Sequence, residues 1–142
     1  MTSRQLLVVA SGTVAYALDS TCVREITAML PTTRIPGAGP EVRGLINLRG
    51  QLLPVVDLAV RLGGAPTPAD GGEVVVLAVN GRSFGLLVDE VREVIAVDAA
   101  PADSSSLLTG QGPGGLIREV GHFGDAVVLE VDVRELATQS LA

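Results

Sequence analysis

The chain has 142 residues, 47% of them hydrophobic, with one Tyr, two Phe and no Trp, and a formal net charge of −6 in which every one of the ten cations is arginine. That length suits one domain with a sizeable core and is short for two independent ones. An acidic chain without a basic stripe excludes nucleic acid as a partner class.

The N-terminal segment imitates an export signal: Arg4, then Leu6 to Ala10, then Ala15-Tyr16-Ala17. The apolar run is five residues before Ser11-Gly12-Thr13 breaks it, short of the ~7 to 15 an export signal requires. No stretch reaches the ~18 apolar residues of a membrane span. The expectation is a cytoplasmic protein with no membrane insertion. Cys22, the single cysteine, can form no internal disulfide, which agrees with a reducing compartment, and its apolar surroundings mark it as a buried, inert thiol.

With so few aromatics the core must be aliphatic. Val-rich runs, 17 glycines and 8 prolines point to an all-β or β-dominated fold. Gln5 to Ala10 and Val14 to Leu18 read as two strands joined by Ser11-Gly12-Thr13. Val23-Arg24-Glu25-Ile26, running on to Met29-Leu30, suits either a short helical turn or an extended edge. Pro31, Pro36, Gly37, Gly39 and Pro40 mark a loop.

Residues 44 to 58, Gly-Leu-Ile-Asn-Leu-Arg-Gly-Gln-Leu-Leu-Pro-Val-Val-Asp-Leu, form the most specific stretch of the chain. Two apolar arms flank Arg49-Gly50, where glycine can take the positive φ of a tight reversal, so a β-hairpin is predicted. Leu52 to Leu58 is apolar on both faces and must be covered on both sides. Pro54 belongs at an edge or bulge. Asn47, Arg49 and Gln51 crowd the turn as the polar side chains before Asp57. Ala59 to Leu62 closes the hairpin, and Gly63 to Gly72 reads as a flexible connection.

After that connection the opening recurs. Val74 to Val79, Asn80-Gly81 and Ser83 to Val88 form a hairpin with a strong turn signal. Val91-Arg92-Glu93-Val94 repeats Val23-Arg24-Glu25-Ile26 at an offset of 91 − 23 = 68. The same offset lays Phe84 on Tyr16, Leu86 on Leu18 and Val74 to Ala78 on Leu6 to Ala10. Gly115-Leu116-Ile117 matches Gly44-Leu45-Ile46, and Val131-Asp132-Val133 matches Val56-Asp57-Leu58, at offsets of 71 and 75. An inexact twofold repeat means two similar β subdomains sharing an interface. Ala99 to Leu108 reads as a Ser/Pro/Ala loop, and Val133 to Leu141 as a C-terminal helix.

Little in the chain suggests catalysis. Gly110 to Gly115 spells G-x-G-x-x-G but lacks the preceding strand and following helix of a dinucleotide site. His122, the only histidine, is placed with Phe123-Gly124-Asp125 between two strands, most simply at an exposed hairpin tip. Asp125 is near in sequence, but nothing establishes a general-base geometry. No Cys/His cluster has metal spacing and the carboxylates are scattered singly. No catalytic residue, metal site or cofactor is therefore expected.

The run Gly-x-Ile-Asn-Leu-Arg-Gly-x-x-x-Pro-Val-x-Asp-Leu resembles the signature of the CheW-like family, adaptors that couple chemoreceptors to a histidine kinase in chemotaxis-type pathways. Gly85 to Val91, Gly115 to Val120 and Val127 to Asp132 are similar to the family's other recurrent stretches, so the likeness covers nearly the whole chain. It implies a single domain over 1–142 of two packed five-stranded SH3-like β-barrels with a short C-terminal helix. The first subdomain would cover about 14–72 and the second about 73–142, with strand 5–10 exchanged between them. The resemblance further implies that the tip of a receptor's cytoplasmic helical hairpin docks at Glu25, Asn47 and Arg49. Physically, Arg49 offers a planar fork of donors suited to a carboxylate, and an internal pair with Glu25 is the competing use of the same group. The kinase's regulatory domain, itself CheW-like, would pack on Leu18, Thr21 and Val23. The protein would be a monomer when free, able to join receptor arrays. Its rival within the fold is a scaffold holding one partner in a pilus-motility or developmental pathway.

Overall fold

The computed structural model describes residues 3–68, 70–98, 115–123 and 126–141. Its strands are β1 (Ser3–Ser11), β2 (Val14–Asp19), β3 (Val23–Ala28), β4 (Val42–Leu48), β5 (Gln51–Asp57), β6 (Glu73–Val79), β7 (Arg82–Val88), β8 (Glu90–Asp98), β9 (Ile117–Phe123) and β10 (Ala126–Val131). Helix α1 (Leu58–Arg61) follows β5, and α2 (Val133–Ser140) ends the chain. Both helices start on an aspartate: Asp57 accepts from Ala59 N, and Asp132 accepts from Glu135 N, each satisfying an orphan amide of the first turn.

The strands form two five-stranded sheets, ordered β8-β1-β2-β10-β9 and β3-β6-β7-β5-β4. Replacing each strand by its repeat counterpart converts one order into the other. The hairpins that open the repeats are exchanged: β1-β2 joins the last three strands of the second repeat, and β6-β7 joins those of the first. The expected cut near residue 72 is thus corrected. The sheet begun by β3 is completed by β6 and β7, so the boundaries fall at 19/23 and 88/90. The whole hairpin 3–19, rather than strand 5–10 alone, belongs with the second half.

The physical reason lies in β1 and β6, which are apolar on both faces. Alternate residues point to opposite sides of a strand. Leu7 and Val9 of β1 enter a core shared between the sheets with Val75, Leu77, Phe84, Val56 and Leu136. Leu6 and Val8 pack inside their own sheet against Ala15, Ala17 and Val128. Val74 and Val76 of β6 do the equivalent with Ile46, Leu53 and Val55. Each opening hairpin therefore supplies both a subdomain core and the seam.

The parallel ladders repeat as well: Glu130 lies opposite Ala17 in one sheet, Val55 opposite Gly85 in the other. Gly85 is needed at its position, since a Cβ there would lie 2.6 Å from Val74 Cγ1.

Several local expectations change. Of the two alternatives for residues 23–28, the extended edge is the one adopted, since β3 ends its sheet. Strand β5 is interior, and Pro54 is tolerated because the ladder to β7 begins only at Val55. Leu52 is 62% exposed, so the second arm is not covered on both sides at its start. His122 and Phe123 are within β9, with His122 opposite Val127, rather than between strands. The loop 99–108, Gly110 to Gly114, Gly124 and Asp125 lie outside the described residues, as does the side chain of His122.

Candidate functional site

Strands β4 and β5 reverse through Arg49-Gly50 with φ of 51° and 86°. Both central residues are left-handed, the type I′ geometry whose twist matches a hairpin. The expectation of positive φ at Gly50 is met, and Arg49 adopts it too. Asn47 Oδ1 accepts from Gly50 N at 2.8 Å and fixes the turn.

From this turn the Arg49 guanidinium donates through Nη2 to Glu25 Oε1. Glu25 comes from β3 and Arg49 from the β4-β5 turn, although β3 and β4 are the two ends of the strand order. The sheet therefore curls until its ends approach, helped by the bridge between Thr33 and Leu45. The Arg49 side chain is 70% exposed and that of Glu25 32%. The hydrogen bond to Glu25, and then its charge, push the Arg49 pKa further up. The guanidinium is thus exposed at the turn while paired with Glu25.

Exposed apolar side chains accompany the tip. Leu52 lies opposite Asn47 in the hairpin register, while Ile26, which follows Glu25 in β3 and points to the other side of the strand, is 41% exposed. Val94, the repeat counterpart of Ile26, is likewise exposed on β8. The tip offers an exposed guanidinium and a carboxylate beside the apolar Leu52, a combination that can contact a helix.

The other three expected contact residues are placed differently. Leu18 is fully buried in the shared core, so a direct contact through it would require opening that core. Thr21 is exposed, its amide and hydroxyl both held by Asp19 Oδ1 at 3.0 and 2.7 Å. Val23 is half-buried against the shared core.

A second polar cluster escaped the sequence reading. Asp57 is fully buried. Its Oδ2 accepts from Arg43 Nη1 and Thr67 N, both at 2.9 Å, while Oδ1 accepts from Thr67 Oγ1 at 2.9 Å and Ala59 N at 3.1 Å. This fixes the middle of what read as a flexible connection, and Thr67 is itself buried. The available signal was an acid inside an apolar run, which demands partners. Among the described residues no group of three His, Cys, Asp or Glu is placed to hold a metal. None of the described helices is long and apolar enough to cross a membrane.

Two sheets built by hairpin exchange, a shared aliphatic core and a rigid polar tip beside exposed apolar side chains define a protein-binding module. The chain belongs to the CheW-like family, whose domain model matches residues 5–140. It is 39% identical over 95 residues to the chemotaxis protein CheW of Rhizobium meliloti, a match covering 66% of this chain and 61% of that one. With the CheW of Klebsiella aerogenes it shares 29% identity over 139 residues, 94% of this chain and 81% of the relative. The matched stretch thus spans about three fifths of the rhizobial protein. The crystal structure of the scaffolding protein TtCheW from Thermoanaerobacter tengcongensis shares the fold, with a TM-score of 0.77 at 24% identity over 96% of this chain and 88% of that one.

Proposed function

We propose that this chain is a non-catalytic cytoplasmic adaptor that couples chemoreceptors to a histidine kinase. The observation that carries this reading is the exposed Arg49–Glu25 pair, locked on the hairpin turn that bears the family signature. The receptor's helical hairpin tip docks at Arg49, Glu25 and Asn47, with Leu52 supplying apolar contact. The kinase's CheW-like domain uses Thr21 and Val23, with Leu18 supporting them from within the core. The relatives named as chemotaxis CheW proteins support the pathway assignment.

Holding two partners at once makes the action one of linkage: a free-energy difference between receptor states is passed to the kinase through a shared scaffold. A pull-down with a receptor cytoplasmic fragment and the cognate kinase tests it. The Arg49→Glu variant loses the receptor and keeps the kinase. Folded protein that binds neither partner would defeat the proposal, and binding of one alone would make the chain a one-partner scaffold.

A further inference from the structure

A cavity of about 410 Å³ opens at the seam between the two sheets. It is walled on one side by the β1-β2 turn and Tyr16, and on the other by α1 and the segment after it, with Leu62, Pro66 and Pro68 apolar. It shares no residue with the hairpin tip. Among its described lining residues Asp89 alone is charged.

Two of its groups are not accounted for by the fold. Ser11 is 5% exposed, and its Oγ has no hydrogen-bond partner among the described residues. Buried hydroxyls are nearly always satisfied, so the Ser11 hydroxyl is free to bond water or another polar group that enters the cavity. Asp89 spends Oδ2 on Gly12 N at 2.7 Å, while among the described residues Oδ1 receives no hydrogen bond and no arginine pairs with the carboxylate. Other described acids, such as Asp19 and Asp132, also lack an arginine partner, but Asp89 is the one whose carboxylate lines this cavity. Asp57, behind Thr67, is already neutralised by Arg43.

We propose that this cavity is a specificity pocket for a single lysine or arginine side chain presented by a partner protein. The alkyl stem lies along Leu62, Pro66 and Pro68, and the cationic head meets the free oxygen of Asp89. A neutral apolar side chain would leave that carboxylate unpaired, and an acidic one would face it directly, so charge selects the occupant. An adaptor with two partners gains from such a pocket a one-residue check on which of them is seated.

The probe is Nα-acetyl-lysine methylamide, titrated into 15N-labelled protein, with the norleucine analogue as the uncharged control of equal stem. Expected are saturable amide shifts at Gly12, Thr13 and Asp89 with lysine and none with norleucine. Asp89→Asn keeps an acceptor for Gly12 N, so it folds, and weakens lysine binding at least tenfold. Ser11→Ala removes the orphan hydroxyl: it leaves the thermal midpoint equal or higher while weakening binding severalfold, a split that a purely structural serine would not give. Absence of saturable shifts, equal binding by Asp89→Asn, or norleucine binding as well as lysine would overturn the proposal. n-Butylammonium, which carries the same stem and head, should bind comparably, and its failure to compete with the blocked lysine would overturn the assignment of the pocket to the side chain.

Discussion

Arg4 at the start of β1 closes a two-armed ion pair on Glu130 of β10, 126 residues away in sequence and two strands away in the sheet. Nη1 donates to Oε1 at 3.1 Å and Nη2 to Oε2. Glu130 is 5% exposed and occupies the register position that Val55 holds in the other sheet. The hydrogen bond to Glu130 raises the Arg4 pKa against the opposing effect of burial. One repeat thus carries an ion pair where the other carries a valine side chain, and the pair ties the exchanged hairpin to its adopted sheet.

Removing one partner of that pair strands the other. Arg4→Leu is expected to lower stability by about 3 kcal/mol, because a buried carboxylate is left without a cation. The double variant Arg4→Leu/Glu130→Val should recover to within about 1 kcal/mol of the native protein, as replacement of a buried ion pair by apolar groups commonly does. Urea unfolding of the three proteins checks both numbers.

Asp57 holds α1 and the segment around Thr67 together through four hydrogen bonds. Asp57→Ala should cost about 3 kcal/mol or more, leaving the Arg43 charge and the Thr67 amide unpaired in a buried site. Limited proteolysis should then cut between residues 62 and 72 faster than it does in the native protein.

Gly85 and Ala17 are repeat counterparts, but only Ala17 has room for its methyl group. Gly85→Ala should destabilise by about 2 kcal/mol through overpacking against Val74 and Val55. The compensating variant Gly85→Ala/Val74→Ala should regain part of that loss in the same unfolding assay.

Arg49 sits at φ 51°, a conformation that glycine adopts without steric penalty. Arg49→Gly should leave the thermal midpoint within a few degrees of native while abolishing receptor binding. Stability and binding would then separate at one residue, because the turn tolerates the change and the docking surface does not.

Tyr16 is the only tyrosine, and burial raises its pKa above the usual 10.0. The folded chain keeps the phenol proton to higher pH than the unfolded chain does. Its stabilising contribution is therefore complete below pH 10.0 and disappears as pH rises through the folded value. The ultraviolet titration of the phenol should have its midpoint above 10.0, and Tyr16→Phe should lose stability less steeply in alkaline buffer than the native protein.

Much of this molecule was legible in the chain. The Arg49-Gly50 and Asn80-Gly81 turns, the strands around them and the C-terminal helix follow from local chemistry, since turn residues and apolar runs act within a few positions of themselves. The repeat was legible because its two copies bury the same residue types. Leu52 misled because an apolar side chain reads alike on a covered face and an exposed one. Asp57 and Thr67 were missed as a pair because their meeting depends on how a proline-rich segment folds back over α1.

What the sequence alone determined is the list of strands and the identity of the signature hairpin, together with the doubling of one unit, all short-range matters of propensity and pattern. What the tertiary structure decided is partnership. Both opening hairpins are apolar on two faces and could cover either half, so only the packing of the whole chain settles that they are exchanged. The same packing buries Leu18, frees Leu52, brings Glu25 across the curled sheet to Arg49, and leaves Asp89 without a cation. Contacts between residues far apart in the chain depend on geometry that no local pattern encodes.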